Sequence, residues 1–342
     1  MTSADMRFIA VHVDDSKLAF QDEHALREFK GMMRAQYGDI SDLGPINICL
    51  GLEYDYNITQ GVMNITCERF LVKMLARFGM SDCHPVATPL SSDGDDKSAL
   101  TAPALQDAEL KFYLQAVGCL QWVASTLVRP DLAVAAQVLG AARSRATTWH
   151  MGQLKRALRY CKGTTQLGVR LARATPPAPL RLVVRCDSNW AGCKVTRASV
   201  SGAHSTLANM PAATICKKQG TVACASTHAE TICMSEVSKR IMTWRRLLGD
   251  LGFPQRGPTL LVCDNQAAIA LSENQLQLAE LSRHLATRHL YVRELVGRGF
   301  VRLRFVRSKL NAADFVTKTH TPVPFLIMRG FVMGHDDNTD FP

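Results

Sequence analysis

Apolar and polar residues alternate along Met6-Arg-Phe-Ile-Ala-Val-His-Val13, a run that predicts a β-strand ending at the paired acids Asp14 and Asp15. Ser16-Lys-Leu-Ala-Phe20 reads as the returning strand of a hairpin. Like charges side by side at its tip repel, so the pair fits a bound divalent cation or, equally, a solvated turn. The period then turns helical over residues 22–34. Residues 46–54 and 61–66 read as two paired strands, and residues 70–78 as a helix. Residues 85–103, rich in Pro, Ser, Asp and Gly, read as an exposed linker. Helical periods return over residues 113–125, 131–145 and 148–162. The last is a basic amphipathic helix whose charges face phosphate or simply water.

Thr175-Pro-Pro-Ala-Pro179 divides the chain. Beyond it, Leu180-Arg-Leu-Val-Val-Arg-Cys-Asp187 alternates as a strand that delivers an acid at its end. Strands at 201–207 and 214–218 follow, with a turn at 209–211. A long helix over 227–251 is stopped by Gly252 and Pro254. Thr259-Leu-Leu-Val-Cys-Asp264 is a buried type of strand, again ending in an acid. Helices at 265–274 and 281–296 lead to Val301-Arg-Leu-Arg-Phe-Val306, which alternates strictly. Residues 311–317 open a last short helix. Strands and helices in this order predict an α/β (α+β) fold.

The length of 342 residues allows two domains with real cores. No apolar run approaches the roughly 20 residues of a membrane span, and the N-terminus carries no secretory pattern. The eleven cysteines are scattered, with no Cys-x-x-Cys and no Cys/His ladder, so they read as reduced core thiols of an intracellular protein. Charge changes the picture more. Of the net +10, residues 1–175 hold 19 basic against 18 acidic residues (+1), and residues 176–342 hold 21 against 12 (+9). An excess concentrated in one half favours a polyanion such as nucleic acid, though a basic surface that is merely soluble carries the same charge.

Four acids of that second half stand at element edges: Asp187, Glu230, Asp264 and Asp314. Phosphodiester hydrolysis needs an activated water and relief of charge on the leaving oxygen. Two divalent ions about 4 Å apart supply both when several carboxylates flank them. Magnesium prefers oxygen ligands, so no histidine or thiol is required. Asp187 and Asp264 lie side by side if their strands are neighbours. Each acid alone reads equally as a cap or a surface residue.

The motifs have a family order. His12-Val-Asp-Asp15, Leu50-Gly-Leu-Glu53, Phe78-Gly-Met80, Ala87-Thr-Pro-Leu90, Val117-Gly-Cys-Leu120, Arg129-Pro-Asp131 and Leu158-Arg-Tyr-Cys-Lys-Gly-Thr164 run through the first half. Cys186-Asp-Ser-Asn-Trp-Ala-Gly192, Ser199-Val-Ser-Gly202, Lys217-Lys-Gln219, Ser226-Thr-His-Ala-Glu230, Asp264-Asn265, Ala313-Asp314 and Thr317-Lys318 follow in the second. From about Phe8 to Gly334 the chain resembles the end of the Pol polyprotein of a copia-type LTR retrotransposon, the last part of a reverse transcriptase followed by a ribonuclease H domain.

That resemblance implies an incomplete reverse transcriptase (palm end, thumb and connection) over residues 1–174, a linker at 175–179, a ribonuclease H-like mixed five-stranded sheet with flanking helices over 180–335, and a tail at 336–342. It implies Asp187, Glu230, Asp264 and Asp314 as catalytic ligands of two Mg²⁺ ions, with Mn²⁺ as a substitute. Asp14 and Asp15 match the paired polymerase acids, and residues 50–54 fall at the primer grip. The implied activity is hydrolysis of the RNA strand of RNA–DNA hybrids, with Lys217, Lys218, Arg240, Arg245 and Arg246 as backbone contacts or plain surface cations. Other parts of a Pol polyprotein are the expected partners, and no membrane is. The cytoplasm (in a virus-like particle, for an active element) and the nucleus are the expected compartments. Two departures open an alternative. His12 replaces the family's tyrosine, and Ser226-Thr-His-Ala-Glu-Thr231 lacks an acid and an aromatic ring of its motif. Without a third polymerase acid, DNA synthesis is not expected. A catalytically silent nucleic-acid-binding remnant is the second reading.

Overall fold

The computed structural model describes residues 7–91, 96–126, 128–173, 179–193, 196–273 and 283–336. Linker residues 175–178 and tail residues 337–342 lie outside them. At the N-terminus β1 (Arg7–His12) and β2 (Asp15–Phe20) form a hairpin that joins neither of the other two sheets. His12 pairs with Asp15, so the tip is Val13-Asp14. Val13 sits there at φ +57, a conformation that a β-branched residue adopts only under strain. Asp22 caps α1 (Glu23–Tyr37) by accepting from the amides of His24 and Ala25.

The stretch 46–54, expected as one strand, folds back on itself. β3 (Ile48–Cys49) and β4 (Leu52–Asn57) pair across a turn at Leu50 and Gly51, with φ of +52 and +77. The apolar run continues through the turn, so only Gly51 marks it. β5 (Val62–Thr66) and β6 (Val169–Ala172) complete a sheet in the order β3-β4-β5-β6. At four residues, β6 is too short for its alternation to be distinguished in the sequence. Glu53 links this sheet to the next helix. Its carboxylate accepts from the Thr66 hydroxyl and from the amides of Glu68 and Arg69, at the start of α2 (Glu68–Arg77).

The helical part comprises α2, α3 (Asp96–Thr101), α4 (Asp107–Ser125), α5 (Ala133–Ala141) and α6 (Thr148–Gly163). The expected helix 131–145 is broken into a 3₁₀ turn, α5 and a second 3₁₀ turn. The expectation of an exposed linker at 85–103 is also corrected, because Thr88 and Leu90 are buried and part of it is α3. Two cations of α6 hold that segment. Arg156 donates to Thr88 Oγ1 at 2.9 Å and Arg159 to the His84 carbonyl at 2.7 Å. Two family-like motifs meet in this core. The fully buried Arg129 donates to Asp131 (Nη2 to Oδ2, 2.8 Å) and to the carbonyl and hydroxyl of Thr164, while the Tyr160 hydroxyl donates to Asp131 at 2.6 Å. A buried charge pair is stable only when its remaining donors are satisfied in this way.

The second half is built on five strands: β7 (Leu182–Asn189), β8 (Val200–Leu207), β9 (Met210–Lys218), β10 (Thr259–Cys263) and β11 (Val301–Phe305). Their order is β11-β10-β7-β8-β9. The first three strands form an antiparallel meander, and β10 and β11 add parallel to β7, giving the expected mixed sheet. The β8–β9 turn is Ala208-Asn209, with φ of +50 and +66, one residue earlier than expected. α7 (Ser226–Asp250) and α9 (Arg283–Gly297) cover one face, burying Val184, Cys186, Leu261 and Cys263 against Met234, Val237, Ile241 and Val292. α8 (Gln266–Glu273) packs beside α9. On β11, Val301 and Leu303 point inward and Arg302 and Arg304 outward, but Phe305 is exposed.

The other face of the sheet meets the helical part. A 3₁₀ turn at Ala312–Val316 lies on β7 and β8, and α10 (Pro322–Met333), absent from the sequence reading, follows it. Phe315, Val316, Phe325, Met328 and Val332 enter one core with Leu71, Tyr113, Leu120 and Leu158 of the first half. Among the described residues no helix is long and apolar enough to cross a membrane.

Candidate active site

Four segments far apart in sequence bring the acids of the second half to one end of the mixed sheet. β7 and β10 are parallel neighbours paired at Val262 and Arg185, and two residues further on Asp264 and Asp187 come level. Asp187 lies two residues inside β7 rather than at its end. Glu230 sits in the first turns of α7, and its Oε1 accepts from both the amide (3.0 Å) and the hydroxyl (2.8 Å) of Ser188. Asp314 is carried by the 3₁₀ turn, which Asn311 anchors. The Asn311 side chain accepts from the Ala313 amide and donates to the Cys186 carbonyl of β7 at 2.9 Å. Gly202, directly opposite Asp187 on β8, leaves room for this approach, since a β-carbon there would collide with Thr317.

The ligand atoms of Asp187, Asp264 and Asp314 lie within 4.8 Å of one another, and so do those of Glu230, Cys263 and Asp264. Asp264 belongs to both sets. Burial, then the Asp314 carboxylate, pushes Asp187 up to about 6, while the Thr317 hydroxyl donates to its Oδ2. Burial, then the Asp187 charge, pushes Glu230 up to about 8 against the two Ser188 hydrogen bonds. Buried carboxylates this close resist joint ionisation, and a cation relieves them. Lys318 already supplies one positive charge, with Nζ 2.7 Å from Asp314 Oδ1 and 3.4 Å from Asp187 Oδ1. Burial opposes its charged form, but the two carboxylates outweigh burial and hold its pKa above the ordinary lysine value. The all-carboxylate set Asp187, Asp264 and Asp314 is a hard donor set that fits Mg²⁺ or Mn²⁺. Beneath the site, Cys233 donates to the carbonyls of Asp187 and Gly202 at 3.2 and 3.4 Å, and Cys263 Sγ, which shares the cluster of Glu230 and Asp264, donates to Glu230 Oε2 at 3.7 Å. All eleven cysteines are free.

The remaining candidates divide. Lys217 and Lys218 end β9 at the same end of the sheet as Asp187, two strands away, and the next residue fixes that edge. Gln219 is buried and donates to Ser201 Oγ and to the Ala229 carbonyl beside Glu230, both at 2.9 Å. Arg240 and Arg246 are exposed on α7. Arg245 is occupied otherwise. It donates to the carbonyls of Gly257 and Gln255 and to Thr259 Oγ1, some 22 Å of helix beyond Glu230 at about 1.5 Å per residue. Asp14 and Asp15 are exposed, and among the described residues no third carboxylate gathers with them. The sequence pattern assigned no role to Ser188, Asn311, Thr317 or Lys318. The available signal was spacing, since Lys318 stands one helical turn after Asp314.

Residues 2–92 match the family described as reverse transcriptase (RNA-dependent DNA polymerase). The chain is 27% identical over 333 residues to the retrovirus-related Pol polyprotein from transposon TNT 1-94 of Nicotiana tabacum, an alignment covering 96% of this chain and 24% of that protein. It is 29% identical over 319 residues to the corresponding polyprotein from transposon RE2 of Arabidopsis thaliana, covering 93% and 21%. The chain thus spans about a quarter or less of these relatives. A foamy viral protease-reverse transcriptase, solved in complex with an RNA/DNA hybrid, aligns with 88% of this chain and 36% of its own, at 13% identity and a TM-score of 0.49. Along nearly its whole length this chain is similar to the Pol polyproteins of copia-type retrotransposons, and its first 92 residues carry the reverse transcriptase match.

Proposed function

We propose that residues 180–335 are a ribonuclease H that hydrolyses the RNA strand of RNA–DNA hybrids, following a reverse-transcriptase-related segment over residues 1–174. One observation carries the reading: four carboxylates from β7, α7, the end of β10 and the 3₁₀ turn converge around Asp264. Asp187, Asp264 and Asp314 would hold one divalent ion, and Glu230 with Asp264 a second. Such ions lower the pKa of a bound water and offset charge on the leaving oxygen. The chain's own work is positional. Ser188 and Thr317 orient Glu230 and Asp187, Asn311 keeps the 3₁₀ turn on β7, and Gln219 holds the β9 edge against α7. Lys217 and Lys218 are placed to meet the hybrid's phosphates, a contact made through backbone and 2′-hydroxyls rather than sequence.

The test is cleavage of a labelled RNA–DNA hybrid by the full chain in Mg²⁺. Loss of cleavage in Asp264→Asn is expected, and undiminished cleavage would rule the site out.

A further inference from the structure

Lys318 stands where a metal ion is expected. Its Nζ lies 2.7 Å from Asp314 Oδ1 and 3.4 Å from Asp187 Oδ1, the two residues that share a ligand cluster with Asp264. Asp187 Oδ2 accepts from the Thr317 hydroxyl and Oδ1 lies against the ammonium, so both oxygens are engaged before any ion binds. The two side chains differ in access. Asp187 is 2% exposed and Lys318 37%, so the lysine has a route to solvent while the carboxylate does not. An ammonium and a divalent ion cannot share the same carboxylate oxygens at contact distance without strong repulsion.

We propose that Lys318 is a tethered cation, seated on the Asp187–Asp314 face when no divalent ion is bound and exchanged outward when one binds. This rests on the metal-site reading above and goes beyond it. The lysine keeps two crowded buried carboxylates together without metal, and it weakens metal affinity because each ion must displace it. A chain built this way is assembled before metal arrives and takes up the ion at the expense of an internal ion pair.

The experiment uses the full chain and two measurements that do not involve cleavage: thermal unfolding in EDTA, and calorimetric titration with MnCl₂. Wild type is titrated first, and absence of Mn²⁺ uptake there would overturn the metal-site reading itself. Given uptake, Lys318→Met is expected to unfold about 2–4 °C lower than wild type in EDTA. It is expected to bind Mn²⁺ about two- to fivefold more tightly, the range set by a partly exposed ion pair. Lys318→Arg, which keeps the charge, is expected to hold the EDTA stability and gain no affinity. If Lys318→Met does not fold, Lys318→Gln serves the same comparison. Unchanged or weaker Mn²⁺ binding in the neutral variant would overturn the exchange.

Discussion

The molecule carries two groups of acids and treats them differently. Asp14 and Asp15 are adjacent in sequence, yet they project exposed from a two-stranded hairpin that joins no larger sheet. Asp187, Glu230, Asp264 and Asp314 are spread over 128 positions of chain, yet they share one partly buried cluster. Adjacency along the chain makes like charges repel, and a turn then turns them toward water. A shared sheet end buries them together, raises the free energy of their ionised forms, and so creates demand for a cation. Asp131 is a third case. It is also buried, but fully satisfied by Arg129 and Tyr160, and it belongs to the framework.

Removing one acid of each kind separates the three cases. Asp264→Asn is expected to reduce hybrid cleavage by about 100-fold or more, since even a residue that merely supports a metal ligand is worth up to that much. Asp15→Asn is expected to leave cleavage unchanged, and equal losses in both variants would erase the distinction. Asp131→Ala leaves the Arg129 guanidinium buried without its partner, which costs about 3–5 kcal/mol. Urea unfolding measures this, and a loss below about 1 kcal/mol would place Asp131 with the exposed acids.

The crowded site also has a signature in pH. Glu230 titrates near 8 in the folded chain without metal, above its ordinary 4.5, so the folded state binds more protons than the unfolded one between those values. Stability therefore falls as pH rises through that interval. Buried His204 and His289, lowered to about 3 and 4 by burial, act in the opposite direction, but only below their ordinary 6.5. The clean window is pH 6.5 to 8, where stability in EDTA is expected to drop by about 2 kcal/mol, at 1.36 kcal/mol per pKa unit. Thermal unfolding with saturating Mg²⁺ is expected to flatten that slope, and Glu230→Gln to remove it. The smallest expected effect is on binding. Replacing Lys217 and Lys218 by alanine lowers the slope of log affinity for hybrid against log salt by about one for each phosphate the protein no longer neutralises.

Strand alternation placed β7 and β11 and a short apolar run placed β10, because such patterning states directly which residues face a core, while the pairing of β7 with β10 that seats Asp187 beside Asp264 came from the fold. The long amphipathic helix α7, stopped by Gly252 and Pro254, was equally legible, and it carries Glu230. Legibility failed where tertiary contacts override local pattern. Pro, Ser, Asp and Gly at 85–103 look like linker, but Thr88 and Leu90 are buried there and Arg156 of α6 holds Thr88. The run at 46–54 looks like one strand, because a turn needing a single glycine leaves the hydrophobic period unbroken. Arg245 looks like a phosphate contact, but its guanidinium is spent on the 255–259 loop. Ser188 and Thr317 act only through partners brought in by the fold, and no spacing rule reports that.

The placement of α10 has a consequence for how freely the two halves can be exchanged. Asp314 is anchored to β7 by Asn311, but the segment that carries it on through Phe315 and Val316 is held from behind by the helical core of the first half. The second half is therefore not a cassette that can be cut out at residue 175 and grafted elsewhere intact. Its fourth acid stands on borrowed footing. Any event that loosens the helical half, whether heat, cleavage by a protease or loss of Arg129, reaches the acid cluster through that strap, and integrity of one half becomes a condition for the geometry of the other.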